Sequence, residues 1–287
     1  MPQTAEVKAY AKLNLSLDVL GTRADGYHDL RMVMQSVALA DTLRLEIGTG
    51  EGLKVTTSLR FLPNNEKNLA AAAALAFQED AGVDLGGVSI DIRKAIPVCA
   101  GMAGGSSDAA AALRALNDLT GAGWSREELA RLGERVGSDV PYCVLGGTAL
   151  AEGRGEVLTP LAPLPRCWVV ACKPDFPIST PELFAQADRV KLRRRPDTAG
   201  LVAALEAGDL GGVARRMYNV FEDVLPARLY TRVAEIKNIL IQCGALGANM
   251  SGSGPTAFGL FDRLEAAQEA RSCLAQRYRD TFLCETV

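Results

Sequence analysis

Apolar and polar side chains alternate along residues 7–20, with Val7, Ala9, Ala11, Leu13, Leu15, Leu17 and Val19 on one parity. A period of two gathers one set of side chains on a single sheet face, so this stretch predicts one or two strands. Residues 30–47 place Met, Val and Leu on one parity and predict a further pair, which makes the amino-terminal part sheet-rich. Residues 69–81 form an alanine-rich helical pattern, 88–92 a strand and 106–119 a second helix. Ser125 with Glu128 three residues later is a capping box that opens another helix, and Gly137-Ser138-Asp139-Val140-Pro141 is a turn or a short helix start. Pro160, Pro163 and Pro165 interrupt any regular element over 158–165, which places a domain junction there and divides 1–158 from 159–287. Beyond it the pattern predicts strands at 168–172 and 257–261 and helices at 199–206, 229–242 and 264–278. The expected class is α+β, with helices laid on one face of a small antiparallel sheet in the second half.

One segment breaks this periodic texture. Residues 97–110 read Pro-Val-Cys-Ala-Gly-Met-Ala-Gly-Gly-Ser-Ser-Asp-Ala-Ala, a small-residue loop running directly into an alanine-rich helix. The first turn of a helix has backbone N–H groups with no intrahelical partner and lies at the positive end of the helix dipole, so it holds an anion by main chain alone. Gly101, Gly104 and Gly105 let the backbone approach a polyphosphate, Ser106 and Ser107 supply hydroxyl donors or a magnesium ligand, and Ala109 to Ala112 propagate the helix. The structural alternative is a glycine-rich helix start with a serine cap. A cap, however, needs one Ser or Asp, and this segment holds three glycines, two serines and an aspartate. No Gly-Lys-Ser/Thr follows and the spacing is not Gly-x-Gly-x-x-Gly, so neither the Walker A loop nor the dinucleotide fingerprint applies.

Composition narrows the chemistry. With 287 residues and 48% hydrophobic content, the chain can build about two domains with proper cores. No uncharged apolar run approaches the ~18 residues of a membrane span, and the first twenty residues lack a signal-peptide hydrophobic block, so a cytoplasmic protein is expected. Seven scattered cysteines without a Cys-x-x-Cys indicate neither a disulfide framework nor a zinc site; they are expected to be reduced and mostly buried. A net charge of −3 argues against general nucleic-acid binding, and the basic run 189–195, without interleaved aromatics, is expected to be a solvated face. His28 is the single histidine, which removes zincin motifs, His-rich metal centres and most serine or cysteine triads.

Two further motifs join the loop. Ala11-Lys12-Leu13-Asn14-Leu15 is followed by Asp25-Gly26-Tyr27-His28 near the amino terminus, and Met250-Ser251-Gly252-Ser253-Gly254-Pro255-Thr256 lies near the carboxyl terminus. In this order the three motifs resemble the GHMP kinase superfamily. Within it, Ala-Lys-Leu-Asn-Leu, Asp-Gly-Tyr-His and Gly-Ser-Asp-Val-Pro are similar to the family that phosphorylates 4-diphosphocytidyl-2-C-methyl-D-erythritol. The resemblance covers essentially the whole chain and departs from the usual pattern at Met102 and Ala103, where Leu and Gly are common. It implies a two-domain fold, a sheet-rich nucleotide-binding domain followed by a ferredoxin-like one. It also implies transfer of the γ-phosphoryl of ATP, with Mg2+, to the substrate's 2-hydroxyl, a step toward isoprenoid precursors. The alternative within the superfamily is a homoserine- or mevalonate-type kinase. A small-molecule partner, no nucleic acid, no membrane, and a monomer or weak homodimer complete the expectation.

Phosphoryl transfer needs the acceptor oxygen in line and the developing charge neutralised. By resemblance, Asp139 accepts the hydroxyl proton and Lys12 balances charge; on residues alone, Asp139 is equally a helix N-cap and Lys12 a surface lysine on an edge strand. The resemblance also puts Tyr27 against the cytosine, His28 at its edge and Phe184 on its other face, with Thr180 in the same segment and Asn14 in polar recognition. A staple or a satisfied loop histidine is the structural alternative. For the nucleotide, the loop residues Pro97, Gly101, Ala103, Gly104, Gly105, Ser106 and Ser107 are joined by Asn68, whose plain role is an N-cap, and by Lys94, whose plain role is a solvated lysine. Asp108 complements the helix dipole and is expected to support a magnesium ion with Ser107. Gly252 and Gly254 are expected to permit a tight turn packed on the first motif; a plain hairpin is the alternative.

Overall fold

The computed structural model describes residues 2–50 and 52–287. Its first two elements are strands of twenty residues each, β1 (Gln3–Thr22) and β2 (His28–Ile47), where the alternation predicted shorter pieces. Strand β1 alternates in exposure only as far as Ala11; from Ala11 to Val19 every residue is buried, so both faces are covered and no break is needed. The chain forms two compact units, each assembled from discontinuous segments: residues 2–11, Ala40–Ile96 and Ala103–Gly146 in the first, and Lys12–Leu39, Pro97–Met102 and 147–287 in the second.

In the first unit, β3 (Leu53–Thr57), β4 (Val88–Arg93) and the adjoining parts of β2 and β1 lie in the order β3-β4-β2-β1. Four helices accompany them: α1 (Leu69–Ala81), α2 (Gly104–Thr120), α3 (Arg126–Glu134) and α4 (Val140–Leu145). Leu43, Leu45, Ile90 and Ile92 meet Phe77 of α1 and the alanines of both α1 and α2 in one core. Ala109 to Ala112 are fully buried, so the small side chains that favour the helix also allow close approach of its neighbours. Ser125 and Glu128 form the predicted capping box, which contributes about 1 kcal/mol. Gly133 gives α3 its seat on α4, since a Cβ there would stand 2.6 Å from Val140.

The second unit contains β5 (Thr148–Gly153) paired with the start of β2, and β6 (Val157–Pro160) paired with β5. Residues 147–158 therefore pack with the second unit, because the β2 register carries Leu30 opposite Gly153 and Gln35 opposite Thr148. The proline-rich stretch is irregular only beyond Pro160, since residues 158–160 lie in β6 opposite β5, contrary to the expectation that no regular element enters it. Its irregular part is tied down by the Leu161 amide on the Thr148 carbonyl and the Leu164 amide on the Thr148 hydroxyl. A four-stranded antiparallel sheet follows, built from β7 (Trp168–Lys173), β9 (Gly247–Met250), β10 (Ala257–Phe261) and β11 (Asp280–Glu285) in the order β11-β7-β10-β9. With α8 (Ala227–Gln242) between β7 and β9 and α9 (Leu264–Ala275) between β10 and β11, this is the ferredoxin-like β-α-β-β-α-β arrangement. Val233, Ile236 and Leu240 of α8 and Ala267, Ala270 and Leu274 of α9 supply its buried helical side. Helix α9 stops at Ala275, three residues before the predicted end. Between β7 and α8 the chain runs through α5 (Thr180–Arg189), α6 (Thr198–Glu206), α7 (Leu210–Arg216), the short β8 (Tyr218–Asn219), parallel to β1, and a 3-10 turn over Val220–Val224.

Two expectations are corrected. Only Cys167 and Cys172 of the seven unbridged cysteines are buried, while Cys99 and Cys273 are exposed. The basic run is not merely solvated: Arg195 donates to Asp18 and to the Val19 carbonyl, both at 2.6 Å, and the Arg194 guanidinium lies 4.4 Å from the Tyr218 ring centre. No helix among the described residues is long and apolar enough to cross a membrane.

Candidate active site

The loop ahead of α2 holds three positive φ angles at alternate residues: Cys99 (51°), Gly101 (73°) and Ala103 (59°). Glycine enters that region without penalty, whereas Cys and Ala do so at a cost of about 1 kcal/mol each. Strain stored at two non-glycine residues of a five-residue stretch is characteristic of a segment shaped for a ligand. Ala103, at the position where glycine was the expected residue, thus keeps the loop's path. The first helical bond of α2 runs from the Ser107 amide to the Ala103 carbonyl, so the amides of Gly104, Gly105 and Ser106 remain without intrahelical partners. Gly105 is exposed and Ser106 half-buried, giving an accessible amide cluster at the positive end of a seventeen-residue helix.

Behind those amides, in the first unit, the side chains are committed inward. The Ser107 hydroxyl is 1% exposed and donates to the Tyr10 carbonyl at 2.7 Å, pinning α2 to β1. Lys94 is not solvated. Its ammonium is buried between Asp41, with which it makes a short contact, and Asp108 at 2.6 Å. Asp41 also accepts the amides of Ala95 and Ile96 at 2.5 and 2.8 Å, fixing the chain just before the loop. Asp108 is 4% exposed and its Oδ1 has no hydrogen-bond partner. Burial, reinforced by the Asp41 charge and opposed by Lys94, pushes the Asp108 carboxyl up to about 8. The folded protein then keeps a proton that the unfolded chain releases near the ordinary carboxyl value of 3.8, so stability is lost as pH rises from there through about 8. Asp108→Asn, which mimics the neutral carboxyl, is expected to abolish that decline. Thermal midpoints between about pH 5 and 9 should fall for the unaltered protein relative to the variant, and parallel profiles would contradict it.

Asn68 is the N-cap of α1: its Oδ1 accepts the Ala70 amide at 3.0 Å and its Nδ2 donates to the Pro63 carbonyl. Asp139 stands at the N-cap position of α4 but makes no side-chain capping hydrogen bond, so that structural role does not account for its carboxylate.

In the second unit, three motifs distant in sequence are bonded to one another. The Lys12 amide donates to the Met102 carbonyl at 3.2 Å, the Ser251 hydroxyl donates to the Gly101 carbonyl at 2.9 Å, and the Asn14 amide donates to that same hydroxyl oxygen at 3.3 Å. Gly101 and Gly252 are required by the closeness of these segments. A Cβ on Gly101 would fall 2.0 Å from the Ser251 carbonyl oxygen, and one on Gly252 would stand 3.0 Å from the Gly101 oxygen and 3.4 Å from the Lys12 ammonium. The 250–256 turn therefore packs on both earlier motifs and is no plain hairpin. It is held by Asn219, whose amide donates to the Met250 and Gly252 carbonyls at 2.8 Å, and by Asn249, which donates to the Asn14 and Leu15 carbonyls. Lys12 is 4% exposed on an interior strand, and its Nζ donates to Asn14 Oδ1 at 2.8 Å. Asn14 is fully buried, with its Nδ2 3.3 Å from Met32 Sδ, so the role its geometry serves is orientation of the Lys12 ammonium.

The β1–β2 turn forms the other cluster of this unit. Gly26 (φ 82°) lets the turn close, with the Arg23 amide on the Tyr27 carbonyl and the Tyr27 amide on Asp25. Tyr27 is 58% exposed at the tip, with the Arg154 guanidinium 5.2 Å from its ring centre. His28 stacks on Phe184 with centroids 4.4 Å apart and planes at 22°, and Phe184 meets Phe221 edge-on at 5.0 Å. Thr180 exchanges a 2.6 Å hydrogen bond with Ser253 of the glycine-rich turn. An exposed tyrosine beside a half-buried, face-stacked histidine offers a planar ligand both a platform and a hydrogen-bonding edge.

Ser107 and Asp108 do not fit a magnesium site of their own, since one hydroxyl is buried against a carbonyl and the carboxylate faces Lys94. No cluster of three or more metal-ligating side chains occurs among the described residues. The sequence reading missed Asp41, Ser251, Asn219, Asn249 and Asp188. Ser251 was quoted as part of a motif, but nothing in local pattern distinguishes the others.

Comparison with known proteins identifies the family. Residues 68–147 match the GHMP kinases N terminal domain and 201–280 the GHMP kinases C terminal domain. A 4-diphosphocytidyl-2-C-methyl-D-erythritol kinase of Alkaliphilus metalliredigens is 43% identical over 281 residues, covering 98% of this chain and 96% of the relative. A crystal structure of a 4-(cytidine 5'-diphospho)-2C-methyl-D-erythritol kinase superposes with a TM-score of 0.82 at 34% identity, covering 98% and 99% of the two chains. A homoserine kinase from Cytophaga hutchinsonii, at 20% identity and a TM-score of 0.75 over 99% and 94%, shares the fold alone. The chain belongs to the GHMP kinase family and, within it, to the 4-diphosphocytidyl-2-C-methyl-D-erythritol kinases.

Proposed function

We propose that this chain transfers the γ-phosphoryl group of ATP to the 2-hydroxyl of 4-diphosphocytidyl-2-C-methyl-D-erythritol, with Asp139 and Lys12 as the catalytic pair. The observation that carries the reading is the direct bonding of the Lys12 strand, the Pro97–Met102 loop and the Ser251 turn, which sets a buried, oriented ammonium beside a glycine-built main-chain cradle. The nucleotide's phosphates lie against the loop, over Pro97, Gly101, Ala103, Gly104 and Gly105, and on the Gly104, Gly105 and Ser106 amides, where the helix dipole favours negative charge. Lys94 and Asp108 serve this cradle from beneath by fixing the helix start, and Asn68 serves it by fixing the start of α1. In the transfer the substrate oxygen bonds to the γ-phosphorus as the bond to the β,γ-bridging oxygen breaks. ADP leaves, and the hydroxyl proton passes to the Asp139 carboxylate. Lys12 balances charge on the transferring group. A magnesium ion bound with the nucleotide would neutralise part of the phosphate charge, and no protein side chain is assigned to hold it. The cytidyl group stacks on Tyr27 beside His28 and Phe184, with Thr180 nearby, which favours this acceptor over homoserine or mevalonate. The enzyme works in the cytoplasm as a monomer or weak homodimer on a small-molecule substrate.

Tyr27→Ala separates the two binding functions. It is expected to weaken the cytidyl substrate by about 1–3 kcal/mol, the range for stacking of a base on an aromatic ring, with no change for ATP. Steady-state KM values for both substrates measure this, and an equal loss for ATP would show that the base lies elsewhere.

A further inference from the structure

Helix α5 carries Thr180, Phe184 and Asp188 at four-residue intervals, hence on one face. Two of them reach the only histidine of the chain: Phe184 covers its ring, and Asp188 Oδ1 lies 2.9 Å from His28 Nε2. The same oxygen accepts a hydrogen bond from the Thr22 hydroxyl at 3.0 Å. Hydrogen bonding from His28, with a second contribution from Thr22, holds the Asp188 carboxyl below its ordinary range. An ionised carboxylate only accepts, so the ring nitrogen facing it carries a proton. A neutral imidazole has one such proton, which leaves Nδ1 as a bare acceptor.

We propose that Asp188 is a positioning residue that sets the base specificity of this site: by holding His28 as the Nε2–H tautomer, it makes the ring accept from the 4-amino group of cytosine and repel the 4-carbonyl of uracil. This rests on the placement of the base at Tyr27 and His28. The discrimination is electrostatic and needs no change of shape, because the two bases differ at that edge in donor against acceptor. Asp188 itself touches neither base nor phosphate in this scheme; it acts through the imidazole.

Because His28 is alone, the imidazole nitrogens of the full-length protein give one spin system. Long-range 1H–15N correlation is expected to show a protonated Nε2 and a bare Nδ1, with CMP shifting the Nδ1 resonance. Asp188→Asn replaces the charged acceptor by a neutral amide that can turn either its oxygen or its NH2 toward Nε2, and is expected to let the proton populate Nδ1. The kcat/KM preference for the cytidine-linked substrate over its uridine-linked analogue should then fall roughly tenfold, carried by KM. Asp188→Glu should restore part of that preference. An Nδ1–H tautomer or an imidazolium in the unaltered protein near pH 7, or an unchanged preference in Asp188→Asn, would overturn the proposal. If CMP leaves the ring untouched, the placement of the base at His28 fails, and the proposal fails with it. A wrong tautomer with a CMP shift defeats the proposal alone.

Discussion

Asp139→Asn is expected to lower kcat by about 10²-fold or more while changing KM for either substrate little. The substitution keeps the shape of the side chain and removes its ability to take a proton. It also spares the helix, because the Asp139 side chain makes no capping hydrogen bond at the start of α4 and Pro141 already suits that first turn. A loss confined to kcat, with an unchanged thermal midpoint, marks a group that acts in the transition state and not in the fold. Near-normal kcat would remove Asp139 from the mechanism.

Gly101→Ala is expected to cost about 2–4 kcal/mol of stability and to raise KM for ATP. Two terms add. The residue holds φ 73°, where alanine pays about 1 kcal/mol. The new Cβ would also overlap the Ser251 carbonyl oxygen at 2.0 Å, and a backbone atom cannot rotate away. The loop and the 251–254 turn must part, breaking the Ser251–Gly101 hydrogen bond that joins the phosphate cradle to the Lys12 strand. Gly82→Ala is the control: it has φ 60° at the end of α1 with open space around it, so it pays only the dihedral cost and leaves kinetics alone. Equal losses for the two variants, measured by urea unfolding, would mean that the contact with Ser251 does not hold the loop.

What could be read in the chain follows from how local each signal is. The loop before α2 is contiguous, so its glycines and the helix start they lead into are legible without tertiary information, whereas the inward commitment of Ser107 to the Tyr10 carbonyl is not. Helices α1 and α3 carry their own caps at Asn68 and Ser125. Strand β1 is legible as a strand from its alternation but not in its burial: Lys12, Asn14, Ser16 and Asp18 read as a solvent face, and the fold covers that face as well. Helix α5 was missed although Ser179 and Pro181 mark its start; its ten residues and the basic run that follows offer little apolar period. The network behind the site is illegible for a different reason. Asp41 meets Lys94 from 53 residues away, Asp188 meets His28 from 160, and Ser251 meets Asn14 from 237. An isolated aspartate or asparagine reads as a turn or surface residue until the fold brings its partner to it. Lys94, expected at the nucleotide or in solvent, is buried between Asp41 and Asp108, and Asn14, expected in substrate recognition, accepts from the Lys12 ammonium.

The most direct test of the whole account is a coupled ADP-release assay with 4-diphosphocytidyl-2-C-methyl-D-erythritol, homoserine and mevalonate as acceptors. Turnover with the cytidyl-linked acceptor and none with the other two is the expected result. Turnover with homoserine or mevalonate, and none with the cytidyl-linked compound, would contradict it.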